Sequence, residues 1–266
     1  MYTMKKLFLL SFVLTCVWSC GGSTTPEDPG ATQGGVDSVS SLDVLETNPV
    51  TDDNIIATAS GFCESQKQLQ ILSTSLLSAY AVKDNGSDMN YISGTSELIE
   101  DGLNFDINID NYRIEARGQE VVLNASISGT TESGANFTSD INNLTIEGNG
   151  VNLKVSGNTW DGRADDMFMN LDISDLVHAI NLSLEYTNIK KGEFDFGYLN
   201  LPGVGRFKYK FIDHFNADNT KGMLFIYGDQ PDELIIISAD NGDITVVYKK
   251  DKQDPGTLIT GTRCDS

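Results

Sequence analysis

Along residues 103–110 the chain alternates strictly, with Leu103, Phe105, Ile107 and Ile109 apolar and Asn104, Asp106, Asn108 and Asp110 polar between them. A period of two is what a strand with one buried and one wet face requires. The parity then flips, because Tyr112, Ile114 and Ala116 carry the apolar side on even numbers. A turn or bulge at Asp110-Asn111 accounts for the flip, since one extra residue reverses the face of a strand. The same device returns 32 residues later, where Phe137 and Ile141 precede Asn142-Asn143 and then Leu144 and Ile146. Met169, Leu171 and Ile173, then Ser174-Asp175 and Leu176, form a third copy. Phe194-Phe196-Tyr198 followed by Leu199-Asn200-Leu201 forms a shortened fourth. Between them, Val121-Leu123-Ala125 answers Val151-Leu153-Val155 and Ile180-Leu182-Leu184-Tyr186.

A hairpin-like unit of this kind cannot bury its apolar face alone, so the repeat predicts neighbours added edge to edge into a broad antiparallel sheet. Beyond Pro202 the copies fade but the alternation continues through Phe207-Tyr209-Phe211, Met223-Phe225-Tyr227, Leu234 to Ile237, and Ile244-Val246-Tyr248. Asp240-Asn241-Gly242 reads as a tight hairpin turn, because Asn-Gly tolerates positive φ. Leu234 to Ile237, apolar on both parities, is expected to be the most buried strand. One segment has a different period. Leu69, Leu72, Leu76, Ala79 and Tyr80 recur at three and four, predicting a helix near residues 62–82, with Ser60 as its cap and Glu64 in its first turn. Ser65, Gln66, Lys67, Gln70, Ser73 and Thr74 make its polar face. The fold class expected is all-β and mainly antiparallel, about a dozen strands in a sandwich or curled sheet, with one N-terminal helix packed on it.

The N-terminus follows another logic. Lys5 and Lys6 precede an apolar run from Leu7 to Val17 that is too short to span a membrane, the pattern of a removed export signal. Val17-Trp18-Ser19-Cys20-Gly21 resembles the processing site of bacterial lipoprotein precursors, in which a small residue precedes the cysteine that becomes the lipidated first residue. Cys16 is a second candidate. Cys20 is preferred because Gly21-Gly22-Ser23 opens an exposed linker directly after it. The resemblance implies a signal over 1–19, lipidation at Cys20 and attachment to a membrane. It also implies sorting to the outer membrane of the envelope, since Gly21 stands where an aspartate would retain the chain in the inner one. Residues 20–41 hold few apolar side chains and are expected to be a flexible tether. The hairpin repeat together with this site looks like a broad group of β-rich envelope lipoproteins. That group implies an acidic loop near the end, of which Asp251-Lys252-Gln253-Asp254-Pro255-Gly256 is a version without regular spacing.

Residues 42–266 suffice for one β-rich domain. The net charge is −20 for the whole chain and about −22 once Lys5 and Lys6 are removed, which argues against nucleic acid as a partner. Four cysteines become two when Cys16 leaves with the signal and Cys20 takes lipid, so Cys63 and Cys264 are expected to pair in the oxidising envelope. Chemistry-bearing motifs are sparse. His178 and His214 fall in segments read as strand and strand end, and neither has a ligand at metal spacing. Asp161, Asp165 and Asp166, in the turn between the second and third copies, are the best carboxylate cluster. They could suit calcium or, less well, a glycan-cleaving pair, but an acidic protein places aspartates in turns anyway. Asp84 to Asp88 is a similar loop. Five Asn-x-Ser/Thr sites follow from an Asn- and Thr-rich β composition. No residues for a bound cofactor are evident. The function expected is a lipid-anchored envelope protein with a non-enzymatic β-rich body that presents a binding or structural surface, an envelope protein or a glycan being the candidate partner. Carriage of a lipid or other apolar ligand in a trough of the sheet is the alternative, and a glycan-active enzyme a distant third.

Overall fold

A helix, α1, runs from Ile55 to Ala81, two turns earlier than its apolar periodicity suggests. Asn54 organises its start. The Asn54 side chain accepts a hydrogen bond from the Thr51 N–H and donates one to the Pro49 carbonyl, which sets up the Thr51 carbonyl to accept from Ile55 N–H. Ser60 therefore lies inside the helix and does not cap it; its Oγ accepts from the Arg263 N–H. Glu64 likewise falls beyond the first turn. The computed structural model describes residues 45–83, 88, 90–132, 136–163, 166–190, 193–216, 221–230 and 232–265. The chain divides into two compact units, Met1–Asp37 and Ser38–Ser266, and every described residue belongs to the second. The signal, Cys20 and the tether lie outside the described residues, as do Asp84 to Ser87.

Thirteen strands follow: β1 (Tyr91–Asp101), β2 (Asn104–Ala116), β3 (Gln119–Thr131), β4 (Phe137–Gly148), β5 (Val151–Arg163), β6 (Asp166–Asp175) and β7 (Ile180–Lys190), then β8 (Glu193–Leu201), β9 (Gly205–Asp213), β10 (Lys221–Tyr227), β11 (Leu234–Asp240), β12 (Asp243–Lys249) and β13 (Thr257–Leu258). They form one antiparallel sheet whose spatial order is the sequence order, with β1 and β13 at its ends. The fold is all-β with a single long helix, and among the described residues the sheet is a continuous meander with no second layer of strands.

The first two copies of the repeat carry bulges where the parity flips. The β2–β3 register shifts between Ile109 and Tyr112, with Asn111 at φ 47°, and the β4–β5 register shifts between Ile141 and Leu144. Asparagine suits the first of these because it tolerates the left-handed region. The third copy differs. β6 keeps one parity through the buried Asp175 and then ends, and Leu176 is exposed in the turn. The slip opposite it sits on β7, where Tyr186 at φ 45° turns outward and buried Thr187 points in. In the fourth copy the flip falls between Phe194 and Phe196 instead of at Tyr198, so Phe196 lies on the outer face and Leu199 and Leu201 on the inner. Two local expectations also fail. Leu103 belongs to the β1–β2 turn and is exposed. Of Leu234 to Ile237 on β11, Ile235 and Ile237 are fully buried, while Leu234 and Ile236 are half-buried on the outer face.

α1 packs against β2, β8 and β11. In a flat sheet β2 and β8 would stand about 29 Å apart at the usual strand spacing, whereas a helix with its side chains is only about 10–12 Å across. The sheet must therefore curl around the helix. Arg117, in the β2–β3 turn, closes the curl by meeting Glu193 at the start of β8, Nη2 to Oε1 2.7 Å. Enclosure explains a second departure from the sequence pattern. From Leu69 to Lys83 no residue is exposed, and Ser65, Gln66 and Ser73 of the expected polar face are buried. Three of the hydroxyls return to the helix's own carbonyls, Ser65 to Gly61 and Ser73 and Thr74 to Gln70, while those of Ser75 and Ser78 are buried without a hydrogen-bond partner.

The C-terminal turn of α1 is held by aromatic packing and a short polar chain. Tyr80 stacks on Phe137 with ring centroids 5.2 Å apart, and its hydroxyl bonds Ser139, which bonds Thr159. Burial pushes the Tyr80 hydroxyl up to about 12, and raises Tyr209, which donates to Thr187, further still. At the other end, buried Glu233 accepts from the Val50 N–H and from the Tyr248 hydroxyl, tying the approach to the helix onto β12.

Candidate functional site

A wide groove lies where the first half of α1 emerges from the curl. Ile56, Ala57 and Gly61 form one wall, Ile180 and Leu182 of β7 another, and Leu201, Pro202 and Val204 at the β8–β9 turn the floor, around about 780 Å³. Glycine at 61 lets helix and strand approach, because a Cβ there would come within 2.9 Å of Leu201 Cδ1. The rim is polar. Asp53, Glu64 and Asn181 stand on it, and Arg263 reaches Glu64, Nη1 to Oε1 3.0 Å. The hydroxyls in the groove already have partners, Ser60 Oγ with Arg263 N–H and Ser65 Oγ with the Gly61 carbonyl. What the groove offers is an apolar wall with a charged lip, a binding chemistry.

A disulfide frames it. Cys63 and Cys264 are joined with Cα atoms 5.1 Å apart, which draws the final 3-10 turn, Arg263–Asp265, onto the third turn of α1. The inner side of the curl is different. The hollow between α1 and the β8–β9 pair, lined by Leu69, Phe194, Phe211 and Phe215, measures about 10 Å³ and is too small to hold more than a single water.

The other sequence candidates are dispersed. Asp166 is exposed at the start of β6 and accepts from the Asn188 side chain; Asp161 lies in β5 with its side chain undescribed, and Asp165 is outside the described residues. Among the described residues no group of three or more His, Cys, Asp or Glu is arranged to hold a metal ion. The acidic loop 251–256 spends its carboxylates on its own backbone. Asp251 accepts from Gln253 and Asp254 N–H, and Asp254 from Lys250 and Gly256 N–H, bonds that hold the Asp254 carboxyl below its ordinary value. His178 sits in the β6–β7 turn and not in a strand; its Nδ1 lies 2.6 Å from buried Asp175, which also accepts from the Val177 and His178 N–H groups. His214 follows β9 and bridges Glu193 and the Phe194 carbonyl.

Sequence reasoning did not single out the outer face. There Trp160 stacks beside Phe168 on the next strand at 6.2 Å, with Tyr186 and Phe196 packed edge-on around them. Slips in β7 and β8 put Tyr186 and Phe196 outside, while Trp160 and Phe168 stand there by the unbroken alternation of β5 and β6. Among the described residues no helix is long and apolar enough to cross a membrane. Compared with protein-family models, curated proteins and solved structures, the chain matches none of them.

Proposed function

We propose that the chain is a lipid-anchored protein of the bacterial envelope, held through Cys20 at the outer membrane, whose β-rich body binds another envelope component without catalysing a reaction. The observation that carries the binding half is the position of α1. The concave side of the sheet, where a carrier would hold its cargo, is filled by a helix whose second half has no exposed residue and only a half-buried stripe at Gln70, Thr74, Leu77 and Ala81. Recognition is left to the rim, the edges and the outer face. The anchor half rests on Lys5 and Lys6, the short apolar run and Ser19-Cys20-Gly21. Several acyl chains, each burying methylenes at about 0.8 kcal/mol, would hold the body at a membrane without a spanning helix.

One observation favours carriage of an apolar ligand as a second reading: the groove beside Ile56 and Leu201 has the volume of a small-molecule site. A carrier would have to use this groove and not the trough of the sheet.

Metabolic labelling with a fatty acid tests the anchor. The native chain is expected to take up label and to sediment with membranes, and the Cys20→Ser chain to do neither. Label persisting in the variant, or absent from the native chain, contradicts it.

A further inference from the structure

The two ends of the sheet are finished differently. At the far end β12 is covered: β13 pairs with Val247 and Tyr248, and the Ile259 N–H reaches the Val246 carbonyl at 2.9 Å. At the near end β1 is bare. It pairs only with β2, and among the described residues nothing pairs along its other edge. Ten of its eleven residues are exposed, including Tyr91, Ile92 and Ile99, each nearly half accessible. An unpaired strand presents a row of free N–H and C=O groups, and proteins guard such rows with lysine, proline or bulges. β1 contains no lysine and no proline. Its irregularities lie between Tyr91 and Thr95, and from Thr95 to Asp101 the register against β2 runs without a break.

We propose that β1 is an acceptor strand, and that an extended segment of a partner protein, alternating basic and apolar residues, adds to it as a further strand. The charge pattern selects that partner. Across the β1–β2 register, Thr95, Glu97, Ile99 and Asp101 share the outer face with Asp110, Asn108, Asp106 and Asn104. Glu97 and Asp101 thus put two carboxylates on the edge strand, with Asp106 and Asp110 on the same face one strand further in. The inner face of the same stretch presents Ser96, Leu98 and Glu100, with Leu98 packed against the core and Glu100 already near Lys83, 3.9 Å. An added strand would set its outward residues beside carboxylates and its inward residues beside Leu98, and a lysine-apolar alternation satisfies both. A second copy fits poorly. Antiparallel self-pairing over Thr95–Asp101 would crowd three carboxylates from each chain together, between bodies that each carry a large negative charge.

This inference rests on the binding-body half of the reading above and names its partner class; failure of lipid labelling would remove the anchor and leave it standing. The test uses the purified full chain and a labelled, end-blocked nonapeptide of alternating lysine and valine, followed by fluorescence anisotropy. Saturable one-to-one binding is expected. A peptide of equal charge with proline at its central valine should bind at least about tenfold more weakly, because it cannot complete the ladder. Charge reversal at Glu97→Lys with Asp101→Lys, on exposed positions that leave the core intact, should weaken the lysine peptide by a similar factor and create binding of the glutamate-valine counterpart. Equal binding of the proline peptide, or an unchanged affinity in the charge-reversed chain, overturns the proposal. A stable dimer of the free chain that cross-links through β1 would assign the edge to a second copy and overturn it as well.

Discussion

Replacing Cys63 and Cys264 together by alanine is expected to lower the stability of the body by about 5 kcal/mol while leaving its native far-ultraviolet spectrum unchanged. The bond spans a sequence separation of 201, so it closes nearly all of the described chain into one loop. A covalent closure of that length removes conformations chiefly from the unfolded ensemble, and the chain-entropy relation gives the figure just stated. Little else can substitute. The neighbouring Arg263–Glu64 ion pair is solvent-exposed and belongs to a class worth at most about 1 kcal/mol, and the Arg263 N–H to Ser60 Oγ bond adds a similar amount. Urea unfolding of the double variant checks this. A midpoint shift equivalent to several kcal/mol is expected, and an unchanged midpoint would contradict the loop-closure account.

Phe137→Ala should cost about 3–5 kcal/mol, the usual range for emptying a buried aromatic site. Its ring is fully buried at the first residue of β4 and holds three elements together. It stacks on Tyr80 of α1 and meets Phe105 of β2 edge-on at 5.7 Å. On the adjacent strand its register partner is Gly162, where any Cβ would come within 2.8 Å of the Phe137 ring. The ring thus fills space that its neighbours leave by having no side chain, and the surrounding sheet cannot collapse to refill it. Phe137→Leu retains most of the volume and should lose only about 1 kcal/mol. Equilibrium denaturation of both variants separates packing from mere hydrophobicity. Equal losses in the two, or a loss below about 1 kcal/mol for alanine, would mean that α1 is not held by this contact.

Much of the sheet is legible in the sequence because alternation is a local property. The runs around Phe105, Ile146, Leu153 and Tyr209 each record one wet and one dry face, and the flips at Asp110-Asn111 and Asn142-Asn143 record inserted residues directly in parity. The Asn241-Gly242 turn is legible for the same reason, with φ of 54° and 93° at its two residues. The pattern does not say which side of the sheet a parity faces once a bulge intervenes. That is why Phe196 reads as core and lies on the outer face. The first two turns of α1 are hidden because Ala57, Thr58, Ala59, Ser60 and Gly61 have little apolar bulk to mark a stripe. Their helix is fixed by Asn54, by the fit of Gly61 to Leu201 and by the disulfide. Enclosure is hidden too, since Ser65 and Ser73 look like a wet face and are buried only because distant strands curl over them. The groove and the bare edge of β1 belong to this last kind. The groove assembles α1, β7 and the β8–β9 turn, and the free edge exists because, among the described residues, the meander adds no strand beyond β1, neither of which any short stretch of sequence encodes.

Native mass spectrometry of the purified chain tests the filled interior most directly. With α1 occupying the concave side, the account predicts one species at the mass of the mature polypeptide plus its covalent lipid, and the polypeptide mass alone for Cys20→Ser. A further lipid held non-covalently at one per chain, retained in both, would contradict it and return the body to the class of apolar-ligand carriers.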